Sequence, residues 1–282
     1  VVLFGQIGIL LAIIGLCYKI AAAPMHLYAP DVYQGAASAV TAFLAFVPKT
    51  AGMLAIIIVV SLVGWENGLP RVVEMTLWVV AVLTMLLGNI GALLQNSAKR
   101  MLGYSSIAHS GYILIGVIAG PPLGLIAVLV YLLIYGATNT AAFATLASLS
   151  RDGESIDSLD DIAGLHKRSP VAAGAFAISC GSLLGVPPLF GFWGKLLLFA
   201  AGIAAGQLIL VLVAVVTSAI SAWYYLRLIG LAVLSPTTPQ SESVIVALRW
   251  PLVAAVLSAI IAIGGPLVLK SLTADATQAI VL

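Results

Sequence analysis

The sequence predicts an all-α membrane protein with about eight transmembrane helices. Composition leads there first: of 282 residues, 62% are hydrophobic and only 8% are charged. A soluble domain carries about a quarter charged residues. So few charges cannot cover a water-facing surface, and lipid must be the main solvent. Apolar runs of about 20 residues, the length of one crossing, recur eight times, at 1–23, 39–62, 76–94, 104–120, 122–149, 170–206, 207–233 and 247–270. Nearly all charges collect between these runs.

The first run opens "VVLFGQIGILLAIIGLC" without an initiator methionine, which leads us to expect sequence upstream. It runs into Pro24 and Pro30, where a helix must break. The 122–149 run is longer than one crossing needs, so tilt or an overhang is expected. The 170–206 run has 37 residues and carries Gly181, Gly185, Pro187, Pro188, Gly191 and Gly194. It reads as a broken helix, tolerated at membrane depth only where protein or a wet cavity covers the backbone. In the longest loop, 151–168, Ile156, Leu159, Ile162 and Leu165 recur at helical spacing. A short surface helix is expected there, with His166 solvated.

The loops 24–38, 95–103, 150–169 and 234–246, with their flanks, hold Lys99, Arg100, Arg151, Lys167, Arg168, Arg227 and Arg249, against Arg71 and Lys270 on the other side. The excess of basic residues puts the first set in the cytoplasm or its equivalent, and the C-terminus outside. The net charge of +2 gives no reason to expect nucleic acid. No phosphate loop, metal-spaced cluster or nucleophile elbow appears, and no cleavable signal peptide. Cys17 and Cys180 lie inside apolar runs with no CxxC or histidine partner and read as small buried hydrophobes.

Of twelve Lys and Arg, nine belong to loops and the flanking ends of the runs, and three remain: Lys19, Lys49 and Lys195. All ten Asp and Glu fall in loops or tails. Each central lysine costs about 2.5–3.5 kcal/mol on insertion. One reading is snorkelling, in which the amine reaches the headgroups; it suits Lys19, near its run's end, better than the other two. The other is a proton relay. Withdrawal from water disfavours the charged form of any amine, so such a group can exchange a proton near neutrality. Pro48 leaves backbone carbonyls without donors beside Lys49, while Lys19 and Lys195 each flank a helix break, a recurring device of ion-moving membrane proteins. His109, among Ser105, Ser106 and Ser110, and His26, just past the first break, titrate near neutrality and join the candidates. Each also reads as a structural hydrogen-bond partner. The hydroxyls and Asn139 of "YGATNTAAFAT" and "VVTSAISAWYY" serve as helix glue or line a wet path, and Gly116/Gly120 and Gly202/Gly206 mark close helix packing.

Four stretches, "KIAAAPMHLYAPDVYQGA", "VTAFLAFVPK", "GNIGALLQNSAKRMLGYSSIAHSGY" and "GVPPLFGFWGKLLLF", resemble the subunit N family of proton-pumping NADH:quinone oxidoreductase, respiratory complex I. The likeness runs through nearly the whole chain. It implies an antiporter-like fold of fourteen helices, of which this chain resembles helices seven to fourteen. Residues 1–62 would end the first inverted repeat, 63–233 would form the second with five helices, and 234–282 the C-terminal loop and last helix. Lys19, Lys49 and Lys195 match the family's lysines on helices seven, eight and twelve, and His109 a polar position on helix ten.

The resemblance further implies redox-driven proton translocation in a bacterial inner membrane or an equivalent energy-transducing membrane. No cofactor is expected on this chain; flavin, iron–sulfur clusters and quinone would sit on other subunits. Its partners would be other membrane-arm subunits and the bilayer, in a hetero-oligomer. The family's helix-five glutamate, partner of Lys19, has no counterpart here, and Ala37 and Ala39 stand where prolines are common. A subunit of a multi-subunit sodium/proton antiporter, a purely structural membrane subunit and a solute carrier are the rival readings.

Overall fold

The computed structural model describes residues 2–65, 68–151, 154–246 and 249–281; Val1, Glu66 and Asp152 lie outside them. Helix α1 (Val2–Lys19) leads through a break into short α2 (Tyr28–Gly35). Then come α3 (Ser38–Ser61), α4 (Arg71–Leu93), α5 (Ala98–Ala119) and α6 (Leu123–Ser148). A compact segment follows, with β1 (Leu149–Arg151), β2 (Glu154–Ser155), a 3-10 turn (Leu159–Ile162) and α7 (Leu165–Arg168). The chain continues through α8 (Pro170–Leu184), α9 (Phe190–Ala204), α10 (Leu208–Val233), α11 (Pro239–Glu242), β3 (Ile245–Val246) and α12 (Arg249–Val281). Among the described residues, α3, α4, α5, α6 and α10 are long and apolar enough to cross a membrane; α1, α8, α9 and the start of α12 are shorter apolar helices.

Helix α5 is the centre of the bundle. Its best apolar window is 94% buried, against 33% for α3. In lipid no hydrophobic force drives helices together, so close approach of small residues takes over. Gly88 on α4 faces the backbone of Ala108 on α5, and Gly111 on α5 faces Met85 and the Ala81 carbonyl on α4. Gly116 meets Val128, Leu198 and the Gly124 carbonyl, and Gly202 meets Ile115 and Val211. Gly120, by contrast, ends α5 at a positive φ of 78°.

The long 170–206 run is broken as its composition demands. Ser169 caps α8 by accepting from Ala172 N at 3.3 Å, with Pro170 in the first turn. Gly185, at φ 92°, ends it in the left-handed conformation glycine adopts without a Cβ clash. The chain restarts at Phe190, where the Gly191 amide donates to Ser182 Oγ at 3.0 Å. A Cβ at Gly191 would run into the Ser182 carbonyl. The first break is built differently. Ala21 takes a left-handed φ of 54°, Ser110 Oγ covers the freed Ile20 carbonyl at 2.8 Å, and Thr84 Oγ1 accepts from Ala23 N at 2.9 Å.

The charged loops gather at one end. Arg100 pairs with Asp31 and donates to Gln34 at 3.0 Å; Gln34 donates to Asp157 at 2.6 Å; Arg151 pairs with Asp161 at 2.5 Å; Arg227 reaches Asn96 at 3.2 Å. At the opposite end Gln207 donates to Glu74 at 2.6 Å.

Four expectations are corrected. Residues 24–38 are not all loop, because Tyr28–Gly35 is helical. Helices α4 and α5 start at 71 and 98 rather than 76 and 104. Their first turns are polar, stabilised by Glu74 near the amide end of α4 and by the Ser97 cap of α5, and hydropathy cannot see them. The 151–168 segment is not one helix. Ile156, Leu159, Ile162 and Leu165 are all buried, yet the Ser158–Asp161 capping box and Gly164, at φ 66°, divide them among a strand end, a 3-10 turn and α7. His166 is half-buried, and its Nδ1 has no hydrogen-bond partner.

Gly88→Ala places a Cβ 2.5 Å from the Ala108 nitrogen. The backbones must move apart, which destabilises the bundle by about 1–3 kcal/mol; a lower unfolding midpoint in detergent checks this, and an unchanged midpoint contradicts it.

Candidate functional site

Two of the three intramembrane lysines are buried: Lys49 is 2% exposed and Lys195 is 5% exposed. Each is held by the same three kinds of group. Lys49 Nζ donates to the Ser106 carbonyl and to Ser106 Oγ, the latter at 2.5 Å, and lies 5.1 Å from the Tyr135 ring centre. Lys195 Nζ donates to the Leu184 carbonyl and to Ser218 Oγ, both at 2.8 Å, and lies 5.1 Å from the Tyr112 ring centre. A carbonyl, a serine hydroxyl and an aromatic face are thus used twice. The Leu184 carbonyl is free to accept because α8 ends there, so the helix break supplies the lysine's partner.

His109 stands between the two amines and is 2% exposed. Its Nδ1 meets Tyr131 Oη at 2.7 Å and its Nε2 meets Tyr225 Oη at 3.0 Å. A neutral imidazole donates at one nitrogen and accepts at the other, and a tyrosine hydroxyl suits either. The ring lies 5.1 Å from Tyr135 and 5.7 Å from Tyr112. The order across the bundle is therefore Lys49, Tyr135, His109, Tyr112, Lys195. Hydroxyls brace the line: Tyr135 Oη donates to Ser106 Oγ at 2.7 Å, Asn89 Nδ2 donates to Tyr112 Oη at 3.1 Å, and Tyr224 Oη donates to Asn89 Oδ1 at 3.0 Å.

Lys19 differs from the other two, as its place near the end of its run allowed. It is exposed, because α1 packs one face on α3 and turns Leu11, Ile14 and Tyr18 outward. It is nevertheless joined to Lys49 by a cavity of about 80 Å³, which Leu44, Pro48 and Tyr33 also line. Proline has no N–H, so the Leu44 carbonyl loses its usual helical donor at this wall. A second cavity, of about 270 Å³, lies against Lys195, Ser218 and Gly185. His26 is buried in the first break, with Nδ1 unpartnered. Among the described residues no hydrogen bond or ring contact ties it to the line. Among the described residues no cluster of His, Cys, Asp and Glu could hold a metal. Tyr112 and Tyr131 were not anticipated; Tyr135 and Tyr225 were expected only among the hydroxyls of their stretches, as helix glue or the lining of a wet path. The signals were present: Tyr131 and Tyr135 are one helical turn apart, and Tyr112 is three residues past His109.

Residues 3–221 match the family model described as "NADH:quinone oxidoreductase/Mrp antiporter, TM". The chain belongs to the NADH:quinone oxidoreductase/Mrp antiporter transmembrane family. It is an integral, multi-pass membrane protein. The chain is 49% identical over 232 residues to NADH-quinone oxidoreductase subunit N of Desulfovibrio desulfuricans, covering 78% of this chain and 45% of that one. Among solved structures it matches a chain of respiratory complex I from Thermus thermophilus with bound aureothin, at 36% identity and a TM-score of 0.77, covering 90% of this chain and 55% of that one. It also matches a chain of the Mrp complex from Dietzia at 24% identity and a TM-score of 0.82, covering 96% of this chain and 58% of that one; at that identity the match shows the fold alone. The chain thus spans about half the length of the family members it matches.

Because Ser106 gives Lys49 two acceptors, Lys49→Met and Ser106→Ala must not act independently. A double-mutant cycle on unfolding stability is expected to give a coupling of about 1–3 kcal/mol. Additive losses would show that the Ser106 hydroxyl does not hold the amine.

Proposed function

We propose that this chain carries protons within the membrane arm of an NADH:quinone oxidoreductase, as a subunit of the N type. The carrying observation is the line from Lys49 through Tyr135, His109 and Tyr112 to Lys195. Its partners are uncharged at both ends. A protonated lysine donates to the serine and the carbonyl; a neutral lysine accepts from the serine hydroxyl instead. A carboxylate partner would trap the proton, whereas this set serves both states and leaves it free to move. His109 then receives at one nitrogen and releases at the other through the Tyr131 and Tyr225 hydroxyls that its nitrogens meet, while Tyr135 and Tyr112 touch it only ring to ring.

Lys19, Lys49, His109 and Lys195 are the relay residues in this reading; His26 lies off the line. Lys19 shares a cavity with Lys49 and takes its charge partner from outside the described bundle, as expected of a family member whose relatives are about twice as long. The chain itself moves no electrons. Flavin, iron–sulfur clusters and quinone belong to other subunits, whose redox chemistry drives the protons. The end rich in Lys and Arg faces the cytoplasm or its equivalent, and residues 63–233 form the second of two inverted repeats. The level of identity to subunit N, against 24% to the Mrp chain, favours this reading over a sodium/proton antiporter.

The test is Lys195→Ala in the assembled complex, in sealed vesicles. Pumping coupled to quinone reduction is expected to slow by about tenfold or more, equivalent to at least about 1.4 kcal/mol on the barrier. Unaltered turnover and proton-to-electron ratio would overturn the relay.

A further inference from the structure

The seam between α3 and α6 changes character at the level of Lys49. Toward the basic end of the bundle, the buried face of α3 carries Ser38, Thr41, Ala42 and Ala45. Beyond Lys49, it carries Met53, Ile56 and Val60, with Gly52 turned to Ile20 at the first break. Helix α6 runs the other way and changes at the same height. Tyr135 lies at the Lys49 ammonium; Thr138 and Asn139 lie toward the basic end with Ala142, Phe143 and Leu146, and Val128 and Leu132 lie away from it with Tyr131, whose hydroxyl is taken by His109. The two faces are in register: Gly136 faces the Phe46 ring, and Phe143 meets Tyr33, which precedes α3. Asn139 falls between these contacts along α6.

Asn139 is fully buried, and among the described residues neither its Nδ2 nor its Oδ1 has a hydrogen-bond partner. An asparagine amide offers two donor hydrogens and two acceptor lone pairs. Leaving such a group unmet in the interior costs about 1–3 kcal/mol. Buried polar groups of this kind are met by ordered water, which typically makes about three hydrogen bonds. Ser38 Oγ, at the basic end of the same seam, is buried and unpartnered as well. Glue between helices, the other use of a membrane asparagine, would require a partner side chain, and Asn139 has none.

We propose that Asn139 is a water-binding residue that hydrates Lys49 from the basic end of the bundle, along a file running past Ser38 and Thr41. The apolar stretch beyond Lys49 insulates it from the opposite side. In each delivery the water on Asn139 gives a proton to neutral Lys49 Nζ and takes one from the next water toward the basic end. One proton leaves that aqueous phase, one N–H bond forms, one O–H bond breaks and is remade, and nothing is oxidised or reduced. Asn139 is a positioning residue, since it holds the water and does not itself exchange the proton. The delivery role deepens the relay reading and rests on it; the water site does not.

The experiment uses the assembled complex in two measurements. The first is a high-resolution density map of the wild type, Asn139→Leu and Asn139→Ser. A water within hydrogen-bond distance of the Asn139 amide is expected in the wild type, lost with leucine and kept with serine. The second is the rate of proton uptake from the basic side in sealed vesicles. Asn139→Leu is expected to slow it by about tenfold, and Asn139→Ser to recover most of that loss. Should the leucine variant not assemble, Asn139→Ala removes the amide without added bulk and carries the same expectation at smaller size. A wild-type map with no water at Asn139 overturns the site. A water that is present but whose removal leaves uptake unchanged overturns the delivery role and points to entry through the cavity shared with Lys19. Water at Asn139 together with an inert Lys49→Met variant is the distinct signature of a failed relay reading.

Discussion

A lysine kept inside a membrane protein without a carboxylate needs hydrogen-bond acceptors, and the rest of this structure is arranged around that need. A central ammonium costs about 2.5–3.5 kcal/mol to insert. Here it is met twice by a backbone carbonyl, a serine hydroxyl and a tyrosine face. Backbone carbonyls are scarce as acceptors inside helices, because the helix already uses them. The break after Leu184 is therefore more than a bend. It frees the carbonyl that Lys195 takes, and Gly185 makes the break possible at low conformational cost.

The same economy of acceptors explains the central helix. α5 contributes Ser106 to Lys49, His109 and Tyr112 to the line, and Ser110 to the Ile20 carbonyl at the first break. A helix presenting polar groups on several faces must be enclosed by other helices, since none of those groups could meet lipid. That is why α5 is the least apolar of the five long helices and the most buried. The glycines at 88, 111 and 116 let its neighbours approach closely enough to seal it. Packing and chemistry thus impose a single requirement on this helix.

The seam between α3 and α6 adds a direction to the arrangement. On α3, Ser38, Thr41, Ala42 and Ala45 on one side of Lys49 and Met53, Ile56 and Val60 on the other make the two routes to the amine unequal. The proposed relay, if it delivers charge one way, draws on this inequality between two helices that pass each other in opposite senses. Lys19 is exposed on the described bundle yet shares a cavity with Lys49, so this side of the amine is the open one.

The sequence by itself determined the solvent, the crossings and the unusual charges. Composition excluded water, apolar length located the spans, and counting left Lys19, Lys49 and Lys195 with no acid among them. The break at 185–189 was legible because proline and glycine act locally. Helix starts at Arg71 and Ala98 were missed because caps and charged first turns are polar. The 151–168 segment was misread because capping at Ser158 and the turn at Gly164 overrode an apolar spacing that suited a helix. Only the tertiary structure decided that Lys49 and Lys195 are buried while Lys19 is not. It alone brought Tyr135, His109 and Tyr112 from two helices into one line and left Asn139 without a protein partner. Spacing along one chain states which residues share a helix face; which faces meet, and at what height, depends on packing among helices far apart in sequence.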